Sequence, residues 1–69
     1  HIVKHFNFPD FKSALEFVNK VGEIAEQEGH HPEINLGWGH VRIELWTHAV
    51  KGLSENDFIL AAKIDALGI

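Results

Sequence analysis

An α+β domain, with helices packed on one face of an antiparallel sheet, is the fold class this sequence predicts. Three observations predict it. Apolar residues recur at helical spacing over 11–28. Two alternating stretches, 33–37 and 40–48, flank Gly37, Trp38 and Gly39. A capping signal, Ser54-x-x-Asp57, opens a final apolar segment. The order strand, helix, strand, strand, helix fills one domain over residues 1–69.

Residues 1–8 read as a strand, with Ile2, Phe6 and Phe8 on one parity and Lys4 as the exception. Pro9 breaks it, and Asp10 is a good N-cap because its carboxylate accepts from free amides of the first turn. In the helix over 11–28, Phe11, Ala14, Leu15, Val18, Val21, Gly22 and Ala25 form the predicted core stripe. Gly22 on that stripe suggests close approach to a sheet. Phe17 and Ile24 widen it and are expected to serve a subunit contact. Helical periodicity stops at Glu28, and Gly29 suits the position just past a helix end. Pro32 pushes His31 into an extended conformation.

In the hairpin, Ile34 and Leu36, then Val41, Ile43, Leu45 and Thr47, are expected beneath the helices. His40, Arg42, Glu44, Trp46 and His48 take the opposite face or its rim. Residues 49–53 read as a loop. Ser54 and Asp57 form a capping box, and Leu53 with Phe58 a hydrophobic staple. The last helix, 55–67, is apolar on more than one side, and Gly68 ends it. Such a helix is buried on two sides, the second against another subunit.

Composition narrows the function classes. The chain has 69 residues, no cysteine and a net charge of −4. A domain this small buries only about 60% of its unfolded surface, so a homo-oligomer is expected. The six Lys and Arg are scattered, which argues against a nucleic-acid groove. No apolar run approaches a membrane span, and no signal peptide is visible. A cytoplasmic protein is the default expectation. The chain starts at His1 without Met.

Chemistry concentrates at the end of the first helix. His30 and His31 stand on an ordered corner, with Glu26 one helical turn back. Histidine titrates near neutrality, so such a cluster exchanges protons at working pH. Taken alone, His30-His31-Pro32 also reads as surface histidines in a turn. A metal site of His30 or His31 with His48 and Glu26 is a competing reading. His30 and His31 are poorly placed to bind one ion together, because adjacent residues in extended chain point to opposite sides, so only one of them would join such a site. His1, His5 and His40 have no evident partner and read as structural or solvent-facing. Singly, Asp57 reads as a cap, Trp38 as a turn aromatic and Glu26 as a solvated carboxylate.

The combined spacing changes that judgement. Glu26, three positions, His30, His31, Pro32, five positions, Trp38, nine positions, His48, eight positions and Asp57 resemble the signature of the pterin-4a-carbinolamine dehydratases. Phe6-x-Phe8-x-x-Phe11, Ala25-Glu26 and Leu53-Ser54-x-x-Asp57 look like the same family. Family members carry a further helix and strand before the segment starting at His1. The resemblance therefore implies a domain lacking an N-terminal helix and strand.

The resemblance also implies a hydro-lyase of tetrahydrobiopterin biosynthesis and recycling. It would convert 4a-hydroxytetrahydropterin to quinonoid dihydropterin and water, with no metal and no organic cofactor. His30 and His48 are implied as the acid/base pair, and Glu26 as the group that orients His30 or holds it protonated. His31, Pro32 and Trp38 are implied at the pterin. Asp57 is expected to act only behind the contacting residues. The implied partners are the pterin substrate and copies of the chain in a homodimer or homotetramer. An alternative is a non-catalytic module, either a pterin-binding protein or a dimerisation cofactor of a transcription factor.

Overall fold

The computed structural model describes residues 1–47 and 54–67. Its elements are β1 (Ile2–Asn7), α1 (Phe11–Glu28), β2 (Glu33–Gly37), β3 (His40–Leu45) and α2 (Glu55–Asp65). The sheet order is β1-β3-β2, and both pairings with β3 are antiparallel. β1 and β2 thus run parallel, separated by β3 and linked through α1, a split β-α-β arrangement.

Register explains the core. Ile2 lies opposite Leu45, Lys4 opposite Ile43 and Phe6 opposite Val41. Ile34 lies opposite Ile43, and Leu36 opposite Val41. All face the helices, and Val41, Ile43 and Leu45 of the central strand are buried. Lys4, the polar exception, reaches past the apolar face to Asp65 of α2, with Nζ to Oδ2 2.9 Å. The hairpin turns at Trp38 and Gly39. Gly39 has φ +74°, where a side chain is strained, and its carbonyl accepts from Phe8 N–H at 2.8 Å.

α1 begins and ends as its sequence predicts, but its buried face is rotated. Ala14, Phe17, Val21 and Ala25 are buried, while Phe11 and Leu15 remain 44% and 40% exposed. Phe17 is a core residue, 3% exposed, not a subunit contact. Its ring packs on Phe6 and Phe8 with centroids 4.7 and 5.2 Å away. Ile24 also packs on this core. The close approach expected at Gly22 is absent, since a Cβ there would meet nothing within 4 Å.

β3 stops at Leu45, short of the expected 48, and α2 stops at Asp65 before a turn at Ala66 and Leu67. α2 buries Leu60, Ala61 and Ile64 and exposes Phe58 and Ile59. The loop expected over 49–53, the staple residue Leu53 and the helix stop at Gly68 lie outside the described residues. No helix of the described residues is long and apolar enough to cross a membrane.

The rotated face gives a direct contrast. Phe17→Ala should cost about 3–5 kcal/mol, as for other buried aromatics. Leu15→Ala should stay within about 0.5 kcal/mol in the monomeric chain. Urea denaturation of both variants checks this; equal losses would contradict the assignment.

Candidate active site

The site grows out of the way α1 ends. Gly29 adopts φ +63°, the left-handed conformation that glycine tolerates best. Its N–H donates to Glu26 O at 3.3 Å, and His30 N–H donates to Ala25 O at 3.1 Å. This is a Schellman closure, which satisfies the last carbonyls of the helix and fixes the backbone of His30 against it. The chain then extends through His31 and Pro32 into β2.

The two imidazoles separate from there. His30 turns inward and donates from Nε2 to Asp57 Oδ1 of α2 at 2.5 Å. His31 stays exposed and donates from Nε2 to Glu26 Oε2 at 3.0 Å. The expected pairing of Glu26 with His30 is therefore corrected: Glu26 serves His31. The physical reason is direction. The closure at Gly29 aims His30 across to α2 and leaves the outer surface of the helix end to His31 and Glu26. An exposed pair of that kind contributes about 0–1 kcal/mol.

Asp57 is fully buried, at 0% exposure. It belongs to the capping box that opens α2. Its Oδ2 accepts from Ser54 N–H at 2.9 Å and from the Thr47 hydroxyl at 2.7 Å. The Thr47 and Ser54 hydroxyls lie 2.7 Å apart. Burial pushes the Asp57 carboxyl up. The hydrogen bonds from Thr47, His30 and the Ser54 backbone, with the His30 charge, outweigh burial and hold it below its ordinary 3.8. Asp57 is thus an anion at neutral pH and can only accept. His30 must carry its proton on Nε2. In the neutral ring, Nδ1 is then the unprotonated nitrogen, which can accept a proton.

The other expected site residues are placed as follows. Pro32 precedes β2, and Trp38 sits at the hairpin tip, 72% exposed. His48 lies outside the described residues. His1 does have partners: its Nδ1 donates to Glu44 at 2.5 Å, and its ring stacks on Trp46 at 4.8 Å. The His40 ring lies over Gly37, where a Cβ would come within 2.2 Å of it. Thr47 was not singled out by the sequence. Its only signal was its inward parity, three residues past Glu44 and seven before Ser54.

Among the described residues, no group of three His, Cys, Asp or Glu converges on a metal-sized point. A groove of about 120 Å³ runs along the first half of α1, beside Phe8, Ser13 and Lys20. It is smaller than the ~300 Å³ of ordinary ligand pockets and lies away from His30.

Fold and site together define a class: a small split β-α-β domain with a histidine pair at a helix end, backed by a buried carboxylate. The chain belongs to the pterin 4 alpha carbinolamine dehydratase family, whose family model matches residues 1–67. It is 56% identical over 66 residues to the provisionally named pterin-4-alpha-carbinolamine dehydratase of Rickettsia canadensis, covering 96% of this chain and 61% of that protein. It is 58% identical over 62 residues to the similarly named protein of Methylococcus capsulatus, covering 90% and 54%. The chain therefore spans less than two thirds of the length of these relatives. Among solved structures, it matches a transcriptional coactivator/pterin dehydratase from Brucella melitensis with TM-score 0.87 and 34% identity, covering 93% of this chain and 68% of that one. It also matches a pterin dehydratase-like RuBisCO assembly factor of the alpha-carboxysome with TM-score 0.79 and 30% identity, covering 94% and 75%.

The depressed Asp57 pKa has a testable sign. A carboxyl lowered in the folded state stabilises fully above its unfolded value, and that contribution is lost as pH falls through the folded value. Wild type should therefore lose stability more steeply than Asp57→Asn below about pH 4. Urea midpoints at about pH 7 and about pH 3 check this; parallel losses would contradict it.

Proposed function

We propose that this domain catalyses dehydration of 4a-hydroxytetrahydropterin to quinonoid dihydropterin. The observation that carries the reading is His30, donating through Nε2 to a buried anionic carboxylate and thereby presenting Nδ1 for proton transfer. Membership of the dehydratase family supplies the substrate class.

The reaction needs two proton transfers. The C4a–O bond breaks, and the departing hydroxide takes a proton to leave as water. The neighbouring N5–H loses a proton as the C4a=N5 bond forms. Water is lost without net oxidation or reduction, so two imidazoles suffice. His30 supplies one, and by resemblance His48 supplies the other. Asp57 acts through His30 by orienting the ring and fixing which nitrogen carries its proton. This takes over the role first expected of Glu26, which instead steadies His31. His31, Pro32 and Trp38 are assigned to pterin contact.

Four large apolar side chains stay exposed on the helices, namely Phe11, Leu15, Phe58 and Ile59. They support a homo-oligomer, which would cover them. The same surface supports the second reading, a protein-interaction role. The coactivator and assembly-factor descriptions of the two structural relatives favour keeping that reading.

Absorbance-monitored dehydration tests the enzyme reading. Wild type should accelerate it. His30→Ala and His48→Ala should each lower kcat by about 10²- to 10⁴-fold with the fold intact. His31→Ala should mainly raise KM. Wild-type rates in both the His30 and His48 variants would overturn the acid/base assignment.

A further inference from the structure

Thr47 stands just past β3, on the inward parity of Val41, Ile43 and Leu45. Its hydroxyl has one proton, and that proton goes to Asp57 Oδ2 at 2.7 Å. The Ser54 hydroxyl, 2.7 Å from Thr47 Oγ1, must then be the donor of that pair. The result is a directed chain, from Ser54 O–H to Thr47 O–H to Asp57 Oδ2. The opposite oxygen, Oδ1, receives His30 Nε2–H.

Capping α2 does not require this. The Ser54 N–H already has Asp57 Oδ2 at 2.9 Å. One backbone donor, however, does not set the plane of a carboxylate, whose terminal torsion is broad and two-fold. A second donor on the same oxygen, arriving from a different element, does set it. Oδ1 is then the oxygen left for the imidazole. Around this carboxylate, the end of α1 brings His30, while its neighbours are engaged elsewhere. Glu26 is paired with His31 and Glu28 with Lys63. The start of α2 adds only Glu55, which is exposed.

We propose that Thr47 is a positioning residue of this site, holding the Asp57 carboxylate in the one orientation that offers Oδ1 to His30. The inference rests on the reading of His30 as a proton-transfer group. It names a determinant of the site that lies on neither histidine.

The test compares Thr47→Val and Thr47→Ser with wild type by two readouts. The first is the His30 ring tautomer, read from the ¹⁵N chemical shifts of the neutral ring. Wild type should show a single Nε2–H tautomer, and Thr47→Val a mixture. The second is pterin dehydration, where Thr47→Val should lower kcat about tenfold, the effect of one ordinary hydrogen bond. KM should stay within about twofold, because only the proton-transfer step is disturbed. Thr47→Ser should restore both readouts. If Thr47→Val does not fold, Thr47→Ala removes the same hydroxyl without the added methyl and is read identically. A hydroxyl-free variant that keeps the single tautomer, whatever its melting temperature, overturns the proposal. An inactive wild type would overturn the dehydratase reading instead, and the tautomer result would still decide the role of Thr47.

Discussion

A carboxylate with no exposure to water is the constraint on which this structure depends. Stripping an ionised carboxyl of water costs several kcal/mol, which only well-made hydrogen bonds offset. Asp57 receives three, and each comes from a different part of the chain. Thr47 donates from just past β3, Ser54 from the mouth of α2 and His30 from the end of α1. The same group therefore caps a helix, ties three elements together and holds a histidine. Moving any of the three would leave a buried charge short of a partner. In a domain this small, that loss would be a large fraction of total stability.

The corner at Gly29 is the backbone counterpart of that network. The closure of α1 onto Ala25 and Glu26 leaves His30 no freedom to drift along the helix axis. Pro32 then commits the chain to β2. Successive residues face opposite ways, so one histidine meets the interior anion and the other meets solvent and Glu26. A shared motif thus yields two unlike imidazoles. That difference leaves one imidazole mostly buried against an anion and the other at the surface beside an exposed carboxylate.

Much of this was legible in the sequence where the signal is local. The bounds of α1, the β2 strand, the Gly-Trp-Gly turn and the Ser54–Asp57 capping box all follow from neighbours a few residues apart. The choice of helix face was not legible. Phe11, Leu15 and Val18 make one apolar row, and Ala14, Phe17 and Val21 make another. Periodicity alone cannot rank them. Phe6 and Phe8, arriving from β1, draw Phe17 into the core. The partner of His30 was hidden for the same reason. Glu26 is four residues away and Asp57 is 27. Only the packing of α2 across the end of α1 brings the distant carboxylate closer than the near one. Asp57 already had a sufficient local role as a cap, which masked the second.

The central claim is that the Asp57–His30 contact is a strong, specific tie between α1 and α2. A double-mutant cycle with His30→Ala, Asp57→Ala and the double variant, followed by urea denaturation at neutral pH, measures it most directly. The expected coupling energy is about 1.5–3 kcal/mol, as for hydrogen bonds to a charged group. Additive losses, with coupling below about 0.5 kcal/mol, would contradict it.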